Sequence, residues 1–146
     1  MIKTPVLLIA FNRPDTTLKV LEGVRLAKPS RLYVAVDGPR AGVPGEAALC
    51  EKVRSIVKDI DWECECFYRF SNENRGPEVT VSTAITWALD KEESVIVLED
   101  DVVAPLSFFQ FMEEMLTKYS QSTQIAMVSG CNPSPGWETH DDYLFG

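Results

Sequence analysis

The stretch that decides the fold of this chain is Pro5-Val-Leu-Leu-Ile-Ala-Phe11, which runs directly into Asn12-Arg13-Pro14-Asp15. Its seven near-apolar residues are too few to cross a bilayer, and no small-residue cleavage site follows them, so they predict a buried strand. Asp15 is a favourable N-cap for a helix over residues 16–27. Apolar residues recur in that segment at helical spacing, at Leu18, Leu21, Val24 and Ala27.

The same order of strand and helix continues along the chain. Further strands are predicted over residues 32–36, 62–70, 94–98 and 125–129, and further helices over residues 46–58, 78–90 and 105–119. Residues 62–70 alternate polar and apolar side chains and indicate a half-exposed edge strand, whereas residues 94–98 are expected to be the most buried, central strand. This alternation predicts an α/β fold, a three-layer α/β/α sandwich around a mostly parallel, Rossmann-like sheet.

Composition and charge narrow the class of protein. The chain has 146 residues, 45% of them hydrophobic and 25% charged, which is typical of one globular domain over residues 1–146. Its net charge of −8 predicts no nucleic-acid partner and no anionic-membrane footprint. Scattered cysteines and the absence of a glycosylation sequon favour a cytoplasmic protein.

A zinc set of Cys64, Cys66, Cys131 and His140 matches no structural-zinc spacing, so buried structural cysteines are expected instead.

Polar residues follow each predicted strand at the point where the strand ends. They are Asn12-Arg13, Asp37-Gly38, the segment 72–76 and Glu99-Asp100-Asp101. Because ligands of parallel α/β sheets bind beyond the carboxyl ends of the strands, we expect these side chains to line one crevice.

The triplet Glu99-Asp100-Asp101 is the most chemically specific of these segments. Adjacent carboxylates repel one another and raise each other's pKa unless a cation compensates. Oxygen ligands without histidine or cysteine suit Mg²⁺ or Mn²⁺. A solvated acidic turn that precedes the next helix remains the alternative.

The wider context of the triplet resembles a known family. The segment Val95-Ile-Val-Leu-Glu-Asp-Asp-Val-Val-Ala-Pro105, with Ser107-Phe108-Phe109, looks like the Asp-x-Asp region of GT-A-fold glycosyltransferases. It is most similar to N-acetylglucosaminyltransferase I and to bacterial family 2-like enzymes. Further matches lie, in the family's order, at residues 5–14, at Asp37-Gly-Pro-Arg40, at Asn74-Arg-Gly76 and at residues 81–87.

The resemblance implies a nucleotide-diphospho-sugar site, with UDP-sugar as the expected donor. It implies that Asp101 binds Mn²⁺ or Mg²⁺, that Asp100 contacts the ribose or the donor sugar, and that Glu99 supports the loop. Arg13 would contact the nucleotide, and Asp37 would accept the uracil imide hydrogen. Two simpler roles remain open, because Arg13 could pair with Asp15 on the surface and Asp37 could cap a turn before Gly38.

Two departures from the family shape the functional hypothesis. Glu78 stands where bacterial relatives usually carry a lysine, and the acceptor-binding half of the family would follow Gly146. We therefore expect the nucleotide-sugar-binding half of a metal-dependent, inverting glycosyltransferase, truncated before its acceptor half. The acceptor, a glycan or a lipid-linked group, and the catalytic base are unknown, with Asp141 and Asp142 as weak stand-ins for the base. The alternative is a nucleotide-sugar-binding or interaction module without catalysis.

Apolar residues near the end of the chain add an expectation about assembly. Residues 125–128 and 143–145 would be covered in longer relatives, so we expect the chain to self-associate, forming a homo-oligomer, through this surface. The aromatic segment Phe108, Phe109, Phe111 and Met112 is expected to pack as core.

Overall fold

The computed structural model describes residues 1–130 of the chain. In chain order its strands are β1 (Val6–Ala10), β2 (Arg31–Val36), β3 (Glu65–Phe70) and β4 (Ile96–Glu99). Its helices are α1 (Pro14–Ala27), α2 (Glu46–Ile56), α3 (Pro77–Leu89) and α4 (Leu106–Lys118). Strand and helix alternate along these residues as the sequence predicted.

The strands form one fully parallel sheet in the order β3-β2-β1-β4. Every residue of β1 is buried, and β2 is buried except at Arg31, because both lie between neighbouring strands and under helices. β3 is a half-exposed edge strand, as its alternation predicted. The prediction of a central strand at residues 94–98 is wrong, since within residues 1–130 β4 pairs with β1 alone and ends on the exposed Glu99.

Helices cover both faces of the sheet and complete the three-layer α/β/α sandwich. On one face, alternate residues of β1 such as Val6 and Leu8 join a core with α1, α2 and α4. On the other face, Leu7 and Ile9 pack with Ala84 and Ala88 of α3. Because β1 is covered on both faces, every one of its side chains must be apolar, which explains the uninterrupted run at its position in the sequence.

Local boundaries differ from the sequence predictions in two places. Arg13, not Asp15, occupies the N-cap position of α1, since the fixed φ of Pro14 suits the first turn of a helix and Asp15 then lies inside that turn. Residues 125–129 form no strand. Val128 packs partly against the core while Met127 is 82% exposed, so the apolar run covers only part of its side chains and adds no strand to the sheet within residues 1–130.

Several side-chain predictions have clear outcomes. Phe109 and Met112 are buried in the core, as expected. Cys64 and Cys66 are free thiols packed against the same core, and burial raises the pKa of Cys64 to about 12. Leu18 is exposed, contrary to the predicted core face of α1. Other singled-out residues lie outside the described range, namely Cys131, His140, Asp141, Asp142 and residues 143–145.

No helix between residues 1 and 130 is both long and apolar enough to span a membrane.

Ile125 and Met127 are exposed, whereas Val128 is not, so only part of the expected association surface faces solvent. Self-association through it stays a prediction.

A buried polar network lies away from the carboxyl ends of the strands. The Tyr33 hydroxyl donates to Glu92 Oε1 at 2.7 Å, and Arg31 Nη1 lies 2.9 Å from Glu92 Oε2. The Tyr33 ring stacks on Phe67 with centroids 4.6 Å apart. This network fixes the segment after α3 to β2. Burial, reinforced by the hydrogen bond to Glu92, raises the pKa of Tyr33 to about 12.

We expect alkaline pH to destabilise the fold through Tyr33. Below about pH 10 the phenol is protonated in both the folded and the unfolded chain, so its contribution is complete. As the pH rises toward 12, the unfolded chain ionises first, and the free energy of unfolding falls. Urea unfolding of Tyr33→Phe between pH 8 and 12 should show a smaller alkaline decrease than the wild type. Equal decreases would show that Tyr33 does not carry the effect.

Candidate functional site

Three of the five predicted site residues meet at the carboxyl edge of the sheet. Arg13 follows β1, and Asp100 and Asp101 follow β4, which pairs with β1. Asp37 follows β2, on the other side of β1, and contacts a different loop. Glu99 ends β4 with its side chain exposed and unbonded within residues 1–130, and its backbone carbonyl accepts a hydrogen bond from Val102 N at 3.1 Å.

Asp100 ties the ends of β1 and β4 together. Its Oδ2 accepts from the backbone N–H of Phe11 at 2.9 Å, and its Oδ1 accepts from Arg13 Nη1 at 3.2 Å. Burial raises the pKa of Asp100, although the Phe11 hydrogen bond and the Arg13 charge oppose that rise. Asp100 is therefore a buried carboxylate that depends on these two partners.

Asp101 points its carboxylate into solvent and pairs with the same guanidinium. Arg13 Nη1 donates to Asp101 Oδ2, and the two side chains are 56% and 51% exposed. The alternative pairing of Arg13 with Asp15 is wrong, because the Asp15 carboxylate is 94% exposed and lies 4.0 Å from Lys52 Nζ. The cation that compensates the acidic segment in this structure is thus an arginine of the neighbouring loop.

The carboxylates after β4 are candidate ligands for the divalent metal that the resemblance implies. Among residues 1–130, no three His, Cys, Asp or Glu side chains form a group that could hold a metal ion by themselves. Mg²⁺ is commonly bound by one or two carboxylates together with ligand phosphates and water. The exposed Asp101 carboxylate fits the part of one such ligand for a metal that arrives with phosphates. It does not form a protein cage around one.

Asp37 is buried and its oxygens are occupied by protein donors. Oδ1 accepts from Gly38 N at 2.9 Å and Arg75 N at 3.0 Å, and Oδ2 accepts from Asn74 Nδ2 at 3.0 Å and Gly76 N at 3.1 Å. A uracil imide would have to displace one of these donors. The contacts show Asp37 as an anchor between the loop after β2 and the loop before α3, and its base-reading role stays a prediction.

The two loops joined by Asp37 lie in direct contact. A Cβ atom on Gly38 would come within 2.4 Å of Glu73 N, so only glycine permits this approach. The Asn74 amide also donates to the Gly38 carbonyl at 3.1 Å. The Asp37-Gly38 and Asn74-Arg-Gly76 motifs, noted separately in the sequence, are therefore one structural unit.

A third buried carboxylate at this edge, Glu46, was missed by sequence reasoning. It accepts from Arg40 N at 2.6 Å, Arg40 Nε at 3.0 Å and Asn12 Nδ2 at 2.9 Å, and it forms an ion pair with Arg40. The hydrogen bonds from Arg40 lower the pKa of Glu46 to about 2. In the sequence Glu46 looks like an ordinary acidic residue at a helix start, and no local signal indicates its burial.

Glu46 places Arg40 over an aromatic ring at the end of β1. The Arg40 guanidinium carbon lies 5.7 Å from the Phe11 ring centroid, within the range of a cation–π contact. The Phe11 backbone in turn holds Asp100. Phe11 thus connects the acidic segment after β4 with the arginine after β2, and the edge behaves as one connected surface.

The cleft between the sheet and α3 is too small for a nucleotide. Its volume of about 10 Å³ has room for a single water molecule. Ala35, Arg69, Thr80 and Thr83 are among its lining residues. A nucleotide at this end of the sheet would therefore bind on the loop surface, not beneath α3.

No protein-family model matches this chain, and no curated protein sequence matches it. The residues at the carboxyl edge of the sheet are therefore the feature from which a function can be inferred.

Proposed function

We propose that this chain binds a nucleotide-diphospho-sugar, a UDP-sugar, together with Mn²⁺ or Mg²⁺ at the carboxyl edge of its sheet. The observation that carries the proposal is the meeting of Arg13, Asp100 and Asp101, from loops after two adjacent parallel strands, with the Arg13 and Asp101 side chains facing solvent. Ligands of open α/β sheets bind at this edge. A cation and exposed carboxylates side by side suit a metal-bound diphosphate.

Each residue has a defined part in this proposal. Asp101 would hold the metal, and Arg13 would contact the diphosphate as a charge-assisted donor. Asp100 keeps Arg13 and the end of β1 in place. Its predicted contact with the ribose or sugar requires one of its two present partners to move. The bound metal would supply charge neutralisation for the departing nucleoside diphosphate.

The reaction class proposed is glycosyl transfer. An acceptor hydroxyl, on a glycan or a lipid-linked group, would attack the anomeric carbon, and a base would take its proton. None of Arg13, Asp37, Asp100 or Asp101 is assigned as that base, because each has a binding or anchoring role. A cytoplasmic location belongs to the same proposal.

Metal-dependent binding of UDP is the direct test. Calorimetry should show UDP binding in the micromolar-to-millimolar range with Mn²⁺ and a loss of at least about tenfold in EDTA, because the carboxylates then repel the diphosphate. Asp101→Asn should show the weak affinity under both conditions. The control is Asp90→Asn, which removes the same charge from an exposed aspartate at the C-terminal end of α3. This variant should behave as the wild type.

Two results would contradict this proposal. Equal UDP affinity with Mn²⁺ and with EDTA would show that binding does not require the metal. Unchanged metal dependence in Asp101→Asn would show that Asp101 is not the metal ligand.

A second candidate, donor binding without transfer, is favoured by Glu78. This residue is exposed in the first turn of α3, where its charge stabilises the helix but repels phosphate. Release of UDP from UDP-sugars in the presence of Mn²⁺ distinguishes the candidates. Binding without release supports the module, and sustained release with an acceptor supports the enzyme.

A further inference from the structure

Arg13 combines a fixed backbone with a side chain held only at its tip. Its carbonyl accepts from Thr17 N at 3.0 Å and Thr17 Oγ1 at 2.7 Å, which fixes the start of α1. The guanidinium, by contrast, is more than half exposed and is held by Asp100 and Asp101 through charge. The side chain can therefore change partners while the backbone stays in place.

Asp101 holds Arg13 through one of its two carboxylate oxygens. Arg13 Nη1 occupies Oδ2, and a divalent ion at that carboxylate would lie within a few ångströms of the guanidinium, where two cations repel strongly. Asp100 is in a different position, because it keeps the Phe11 hydrogen bond when Arg13 leaves. The acidic segment would thus stay folded during an exchange of its cation.

We propose that Arg13 is an exchangeable counter-ion, which neutralises Asp100 and Asp101 in the free protein and turns to the ligand's phosphates when a divalent metal takes its place. This inference rests on the proposed function. Arg13 then opposes metal binding in the free protein and favours diphosphate binding once metal is present. Metal and diphosphate would consequently bind with positive cooperativity, because each removes an obstacle for the other.

The test measures binding of Mn²⁺ alone, by the electron paramagnetic resonance signal of free Mn²⁺, and then binding of UDP at saturating Mn²⁺. Arg13→Gln should tighten Mn²⁺ binding about tenfold and weaken UDP binding about fivefold or more, in keeping with a charge pair at a protein surface. Arg13→Lys, which keeps the charge, should stay close to the wild type for Mn²⁺.

Arg25→Gln is the matched control. It removes the same charge from the other end of α1, where Arg25 Nε lies 3.1 Å from Asp61 Oδ1 and the side chain is 41% exposed. Both affinities should change less than twofold, because the charge is distant and screened. Circular dichroism confirms that all variants are folded.

The outcomes separate this inference from the proposed function. Mn²⁺ binding that is unchanged or weaker in Arg13→Gln overturns the exchange, while metal-dependent UDP binding by the wild type keeps the proposed function. Tighter Mn²⁺ binding with unchanged UDP affinity also overturns it, because Arg13 then never reaches the phosphates. A wild type without metal-dependent UDP binding overturns both.

Discussion

Replacing Asp37 by alanine is expected to lower the free energy of unfolding by about 3–5 kcal/mol, because a buried acceptor with several partners is lost. Gly38 N, Arg75 N, Gly76 N and Asn74 Nδ2 would each lose an acceptor, and three of these donors belong to the loop before α3. The loop would separate from the end of β2. A residue that only read the base would leave stability nearly unchanged on removal, whereas these contacts predict a large loss of stability.

Urea unfolding followed by circular dichroism measures the change. Asp15→Ala is the matched control, since its carboxylate is 94% exposed and should cost less than about 0.5 kcal/mol. UDP affinity, measured at a temperature where Asp37→Ala is folded, completes the experiment. Unchanged stability together with a large loss of UDP affinity would show that Asp37 reads the base and does not anchor the loop.

Replacing Phe109 by alanine is expected to lower the free energy of unfolding by about 3–5 kcal/mol, the range for truncating a fully buried phenylalanine. Phe109 is 0% exposed, packs in the core shared by the sheet, α1 and α4, and meets Phe108 edge-to-face at a centroid distance of 5.4 Å. The segment 100–105, which includes Asp101, connects β4 to α4. Loosening α4 should therefore also disturb Asp101, and metal-dependent UDP binding should weaken with stability.

Leu106→Ala provides the control on the same helix. Leu106 is 39% exposed, so its truncation should cost about 1 kcal/mol or less. Both variants are compared by urea unfolding and by UDP calorimetry with Mn²⁺. If Phe109→Ala loses no more stability than Leu106→Ala, α4 is not held to the sheet through the Phe109 ring.

The sequence by itself determined the architecture, because burial imposes a local pattern. β1 is covered on both faces and had to be uniformly apolar, while the half-exposed edge strand β3 includes the polar residues Glu65 and Arg69. The same reasoning failed at residues 125–129, where apolar character predicted a strand that does not pair within residues 1–130. A pattern of hydrophobicity indicates which side chains favour burial, but Ile125 and Met127 are apolar and exposed, so it does not report which of them the tertiary structure covers.

The tertiary structure decided the partners of the polar residues. Arg13 pairs with Asp100 and Asp101 and not with Asp15, because the strand order places β4 beside β1. Three of the four donors to Asp37 come from a loop that lies beyond two intervening elements, and the buried Glu46 pairs with Arg40. The sequence showed that polar residues follow the strands. Which of them meet depends on strand order and loop contact, since charge pairing and hydrogen bonding act between residues that are distant in the chain.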